Sequence, residues 1–189
     1  MTWYDEAFAK SVSLTDMGMR PNATTGNPGR SHRFYQGTPV FAFGEGLSYT
    51  SFAITKPQLE LPEGVLAVAR REAAARTTRA HSAVIGHVSV RVTNEGARRG
   101  AHSVLLFAAP PPSAVNAGAP QQNVLDFGKV DLAAGASSGL TFEIRAHDLT
   151  FADRRGARVA AAGAWRFWAG KATDGHKEAA VTNTILEHH

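Results

Sequence analysis

VIGHVSVRVTNEGARRGAHSVLLFAAPP, running from Val84 to Pro111, decides the fold class. Val84, Gly86, Val88, Val90 and Val92 alternate with Ile85, His87, Ser89 and Arg91, so an extended chain here carries one apolar face and one mainly polar face. That is the pattern of a half-buried strand. Asn94-Glu95-Gly96 supplies residue types that tolerate positive φ, and Val104 to Ala108 is an apolar run short enough for a core strand. Two strands joined by a turn follow. Further along, Leu140, Phe142 and Ile144 alternate with Thr141, Glu143 and Arg145, and Trp165, Phe167 and Ala169 alternate with Ala164, Arg166 and Trp168. Turn-forming clusters at Ala109–Gly118, Ala133–Gly139 and Arg154–Gly156 punctuate these runs. The prediction is an all-β chain folded as an immunoglobulin-like β-sandwich, with its first strand near Phe52–Leu61.

Two stretches depart from that pattern. Between Pro62 and Ala80 the sequence turns to Ala, Arg and Glu with few β-branched residues, and Glu72 with Arg76 forms a favourable i,i+4 pair. This reads either as a short surface helix inserted at about 62–80 or as a disordered basic loop. APPPSAVNAGAPQQN, residues 109–123, reads as a long polar loop.

The chain has 189 residues, 43% of them hydrophobic, enough for one domain with a real core and without a run long enough for a membrane span. No cysteine is present, so disulfides, cysteine nucleophiles and Cys-based zinc sites are excluded. The formal charge is +4, but the basic residues sit in turns and in the 62–80 segment, without the aromatic interleaving of a nucleic-acid platform. A solvated basic rim is the expectation, with no nucleic-acid partner and no membrane partner. Leu186-Glu187-His188-His189 reads as the start of a vector-derived histidine tag over 187–189. Asn22-Ala23-Thr24 is an N-glycosylation sequon.

The stretch PGRSHRFYQGTPVFAFGEGLSYTSF, Pro28 to Phe52, carries a resemblance to a known family. Pro28-Gly29-Arg30, Arg33-Phe34-Tyr35, Phe43-Gly44 and Gly46-Leu47-Ser48-Tyr49-Thr50 are similar to the start of the C-terminal fibronectin type III-like domain of glycoside hydrolase family 3. The plant or algal type β-xylosidase/α-L-arabinofuranosidase is the form it resembles most. The strands quoted above, with Val124–Asp153 and Gly163–Gly170, follow in the family's order. The resemblance implies that residues 1–38 are the end of a preceding glycosidase domain and a linker arm, and that 39–186 form the sandwich. It implies interdomain or arm packing for Arg30, Arg33, Phe34, Tyr35, Phe41, Phe43, Tyr49 and Phe52, ordered from about Arg30 and frayed before it. Glu45 stands where the family usually carries an aromatic, and His32 where a large residue packs.

The same resemblance implies a parent that hydrolyses β-xylosyl or α-arabinofuranosyl ends of cell-wall polysaccharide with retention, secreted or held in the wall. Retaining enzymes use two carboxylates about 5–5.5 Å apart. The family's nucleophile lies in a Ser-Asp context, and no Ser-Asp pair occurs in this sequence. The chain is therefore expected to be a non-catalytic accessory domain with no cofactor and no metal site, its partners being the parent's catalytic domains in cis. Asp126, Asp131, Asp148 and Asp153 read as turn residues bonding the local backbone, and Gly135-Ala136-Ser137-Ser138-Gly139 as a plain turn, since a strand follows it where a nucleophile elbow needs a helix.

Polysaccharide binding is the alternative. By alternation Trp168 faces outward, where an indole can stack on a sugar ring or receive a domain. With the turns at Arg98-Arg99 and Arg154-Arg155 it would grip xylan, arabinoxylan or pectin. A protein-interaction module is a third reading, and self-association through a surface stripped of its parent would imitate it. Trp165 stands where many such sandwiches place a corner tyrosine, and without a hydroxyl it is expected to lose that residue's backbone hydrogen bond.

Overall fold

The computed structural model describes residues 2–176 and 181–185, so the tag-like residues 187–189 lie outside the described residues. Two sheets pack face to face. One is built on β3 (Val84–Asn94), with β6 (Ser137–Arg145) along one edge. β1 (Phe52–Ile54) and β2 (Gln58–Glu60) share the other edge in succession. They are one strand interrupted at Thr55–Pro57, where a proline has no N–H for the ladder. The second sheet runs β10–β9–β4–β5, from β4 (Gly100–Ala109), β5 (Asn123–Leu132), β9 (Gly163–Gly170) and β10 (Val181–Ile185). A separate hairpin joins β7 (Thr150–Ala152) to β8 (Arg158–Ala160).

The main core lies between the sheets. Val88, Val90, Val92, Phe142 and Ile144 meet Val104, Leu106, Val130, Leu132, Trp165 and Phe167. At about 1.5–3 kcal/mol per large side chain this burial is the dominant stabilising contribution. The inward faces are those the alternation predicts, with one exception. A register shift between Val84 and Gly86 turns Ile85 into the core and leaves Val84 exposed. Glycine at this bulge is required by contact: a Cβ on Gly86 would sit 2.3 Å from the Glu60 carbonyl oxygen.

The Asn94-Glu95-Gly96 turn works differently from its sequence reading, since none of its residues has positive φ. Asn94 is instead a fully buried hub. Its Oδ1 accepts the Thr50 hydroxyl at 2.6 Å and the Gly96 N–H at 3.1 Å, and its Nδ2 donates to the carbonyls of Arg98 at 2.7 Å and Leu132 at 3.0 Å. One side chain thus joins Gly46–Thr50, the β3–β4 turn and the end of β5. Trp165 lacks the corner tyrosine's hydroxyl, as the sequence dictates, yet keeps a backbone bond. Its indole N–H donates to the Ala161 carbonyl at 2.9 Å, so a backbone bond a few residues upstream survives with a nitrogen donor in place of a hydroxyl.

The insertion is helical. α3 (Val65–Ala74) buries Val65, Leu66, Ala69 and Ala73 on one stripe, against the 3-10 turn Ala146–Leu149 and the β7–β8 hairpin. It extends the core rather than decorating the surface. Glu72 does not pair with Arg76, because the helix ends first and Arg76 sits at φ 54°. Its carboxylate takes the Ser82 hydroxyl and the Ala83 N–H. The 109–123 segment is likewise not a plain polar loop: α4 (Pro112–Asn116) interrupts it, and Ala114 and Ala119 pack on Phe151.

Candidate functional site

The N-terminal arm lies on the outer face of the second sheet, and the most unusual surface of the molecule is on it. In α1 (Glu6–Ser11), Asp5 accepts the Phe8 N–H at 2.8 Å as N-cap, and Glu6 and Lys10 form an exposed i,i+4 pair. Phe8 is buried, stacked on Tyr4 at 4.1 Å, edge-on to Tyr35 at 5.6 Å, with the Arg30 guanidinium 5.3 Å from its centroid. The Tyr4 hydroxyl accepts the Ser31 N–H at 2.6 Å. The beginning of the chain therefore finds aromatic partners within the arm.

Pro28-Gly29-Arg30 has a steric reason. Gly29 sits at φ 91°, and a Cβ there would lie 2.3 Å from the Phe34 carbonyl oxygen at the end of α2 (Ser31–Phe34). Gly29→Ala is expected to lower stability by roughly 2 kcal/mol, with the Tyr4–Phe8–Tyr35 cluster loosened, read by urea unfolding and near-ultraviolet circular dichroism. A loss under about 0.5 kcal/mol would contradict this account of the motif.

Phe34 is buried beneath the guanidinium groups of Arg20 and Arg33, and Arg33 Nε donates to Asn123 Oδ1 at 2.9 Å. Gln121 and Gln122 on the sandwich donate to the arm carbonyls of Phe34 and His32. Phe43 stacks on His32 at 4.1 Å, and its carbonyl accepts the Ala172 N–H at 2.8 Å. Glu45 accepts the Ala42 N–H and pairs with Lys171 at 3.2 Å, so the acidic residue in the aromatic's place makes its own tie to the sandwich. Phe52 stacks on His102 at 4.8 Å. Tyr49, by contrast, is almost wholly exposed, and Phe41 touches Trp3 edge-on while remaining 46% exposed.

Trp168 overturns the alternation reading. It does project from the outer face of its sheet, but the arm covers that face, leaving the indole 1% exposed. The ring stacks on Phe107 at 5.3 Å and 5°, its Nε1 donates to the Lys171 carbonyl at 3.0 Å, and Phe43 and Ala172 close over the pair. It offers no sugar platform. The basic turns are not brought to it or to each other. Arg98 and Arg99 follow the C-terminal end of β3, with Arg99 held bidentate by Asp131. Arg154 and Arg155 lie in the hairpin beyond the other end, where Val84 pairs with Arg145. The eleven residues of β3 set those ends about 33 Å apart. Of the four aspartates read as turn residues, Asp153 behaves so, accepting the N–H groups of Arg155 and Ala157, and Asp148 accepts the Arg145 N–H while also pairing with Arg79. Asp126 and Asp131 instead lie within β5, where Asp126 accepts the Phe127 N–H and Asp131 holds Arg99.

His32 is a packing residue with a titration consequence. Burial, then the Arg33 charge, pushes its pKa down from 6.5 to about 4. The unfolded chain binds more protons between those values, so stability falls as pH drops from about 6.5 to about 4. Because the ring edge keeps solvent contact, the effect is on the order of 1 kcal/mol. His32→Phe is expected to remove that part of the pH dependence, measured as unfolding free energy at pH 4.5 and 7; an unchanged difference would contradict it.

What the arm does not bury is informative. Among the described residues, eight of the ten exposed large hydrophobic side chains lie between residues 3 and 49: Trp3, Leu14, Met17, Met19, Val40, Phe41, Leu47 and Tyr49. Trp3, Val40 and Phe41 adjoin, since the Trp3 N–H donates to the Phe41 carbonyl and the Val40 N–H to the Trp3 carbonyl. The sequence pointed to Phe41 and Tyr49 in this group; Leu14, Met17, Met19 and Leu47 carried no periodic signal.

Comparison with known proteins agrees with this architecture. Residues 102–173 match the family model of the fibronectin type III-like domain. The chain is 34% identical over 173 residues to β-xylosidase/α-L-arabinofuranosidase 2 of Medicago sativa subsp. varia, and 32% identical over 178 residues to β-D-xylosidase 3 of Arabidopsis thaliana. Each match covers 86% of this chain and 22% of the relative, so the chain spans about a fifth of the length of these relatives. Among solved structures it superposes on a glycoside hydrolase family 3 exo-β-xylosidase with TM-score 0.71 and 25% identity, covering 98% of this chain and 24% of that one. The arm as well as the sandwich thus has a counterpart there. A β-D-glucoside glucohydrolase of Trichoderma reesei matches with TM-score 0.60 and 25% identity over 79% of this chain and 20% of its own. The chain belongs to the fibronectin type III-like domains of glycoside hydrolase family 3.

Proposed function

We propose that this chain is a non-catalytic accessory module whose arm docks on the catalytic domains of a family 3 glycosidase. The observation that carries the reading is the concentration of exposed apolar side chains on residues 3–49, where Trp3, Val40 and Phe41 adjoin in a patch of the kind that marks an interdomain or protein interface. The parent activity that the relatives' names support is that of a β-xylosidase or α-L-arabinofuranosidase; on this reading it acts with retention, in an enzyme secreted or held in the wall. An exposed turn carrying the Asn22 sequon suits glycosylation in that compartment. Deleting the module from Phe41 onward in the longer enzyme is expected to destabilise it and lower its solubility. Unchanged stability and solubility would overturn the reading. With Trp168 inside, this chain is expected to show no retardation in gels containing xylan or arabinoxylan free of uronate side groups.

A further inference from the structure

A cleft of about 320 Å³ opens between α2 of the arm and the β7–β8 hairpin. Three arginines line it, and only one has its charge compensated. Arg79 makes two bonds to Asp148, at 2.7 and 3.2 Å, and Asp148 also accepts the Arg145 N–H at 2.9 Å. Asp148 is the one carboxylate lining the cleft among the described residues, and it is committed to those partners.

Arg33 and Arg158 are placed otherwise. Arg33 Nε donates to the neutral amide oxygen of Asn123, and Arg158 Nη2 donates to His147 Nε2. The His147 ring is oriented by its Nδ1 against the Thr77 carbonyl at 3.0 Å. A carbonyl only accepts, so Nδ1 carries the proton and Nε2 turns its lone pair to the guanidinium. Among the described residues neither arginine has a carboxylate within ion-pair distance. Arg33 is held below the usual guanidinium range by burial and then by the charges of Arg20 and Arg158. Burial does the same to Arg158, with Asp148 partly opposing it. Two mutually repelling guanidinium groups over a cleft suit an oxyanion, whose oxygens accept their planar donors.

We infer that this cleft binds a carboxylate-bearing sugar, a uronate, with its carboxylate shared between Arg33 and Arg158. A mineral oxyanion would leave most of the volume unfilled, and Asn123 and Thr150, which also line the cleft, carry an amide and a hydroxyl that can bond the hydroxyls of a sugar. This site shares no residue with the polymer grip expected from Trp168, and it stands whether or not the arm docks on catalytic domains.

The test is a titration of the chain, at fixed ionic strength, with the methyl glycoside of galacturonic acid (its carboxylate free), methyl galactoside and sodium sulfate, followed by the arginine Nε–H resonances. The expected result is saturable binding of the uronate with shifts at Arg33 and Arg158, none with the neutral galactoside, and sulfate weaker than the uronate. Arg33→Gln and Arg158→Lys, each first shown by circular dichroism to keep the fold, are expected to weaken uronate binding at least about tenfold, the loss of one bidentate charge-assisted contact. Equal shifts with the neutral sugar, tighter binding of sulfate than of uronate, or unchanged affinity in Arg33→Gln would each overturn the assignment.

Discussion

Trp168→Ala is expected to cost about 3–5 kcal/mol, a large share of the stability of a domain this size. The loss has three parts. Removing the indole opens a cavity beneath Phe43 and beside Phe107, deletes the stack with Phe107, and leaves the Lys171 carbonyl without its donor. The arm rests on this layer, so unfolding should show partial release of residues 32–45 before the sandwich opens. Urea unfolding gives the free energy, and hydrogen exchange at Ala172, whose N–H is bonded to Phe43, reports the arm. An outward-facing tryptophan would behave as an ordinary surface site, with a change within about 0.5 kcal/mol. Trp168→Phe separates the parts: it retains an aromatic layer and loses the hydrogen bond, for about 1–2 kcal/mol.

Asn94→Ala is the second large effect, at about 3 kcal/mol. The side chain uses all its donors and acceptors on four partners inside the protein, and removal leaves the Arg98 and Leu132 carbonyls and the Gly96 N–H without that partner around a fully buried position. Asn94→Asp is the informative companion, since it keeps Oδ1 for Thr50 and Gly96 but turns two donated bonds into carboxylate–carbonyl repulsion. Both variants should lose stability, with Asp no better than Ala. A neutral Asn94→Ala would mean that the turn holds itself through backbone alone.

The sandwich was legible in the sequence because a strand's burial pattern is local: Val88, Val90 and Val92, or Leu140, Phe142 and Ile144, announce their inward face by alternation alone. What alternation cannot supply is what covers the other face. Trp168 is buried by Phe43 and Ala172, and Phe43 lies more than a hundred residues earlier in the chain, so no local pattern around the tryptophan carries that contact. The glycine at the Val84–Gly86 bulge is a similar case, required by the Glu60 carbonyl on a neighbouring strand. The arm was legible in part. Gly29 and Gly44 sit where the backbone approaches another segment too closely for a Cβ, which gives those glycines a structural reason in the Pro28–Phe52 stretch. The Arg33–Arg158 cleft was invisible, since two arginines 125 positions apart meet only through the docking of the arm.

The central claim is that the apolar face of residues 3–49 is a docking surface for the rest of a longer glycosidase. Met17 and Met19 lie on that face and oxidise readily when exposed. Mild peroxide treatment of this chain alone and of the longer enzyme, followed by mass spectrometry, measures their accessibility in each. The prediction is rapid sulfoxide formation at both methionines in the isolated chain and strong protection in the longer enzyme, with Trp3 and Tyr49 protected alongside under radical footprinting. Equal oxidation in the two would contradict the claim.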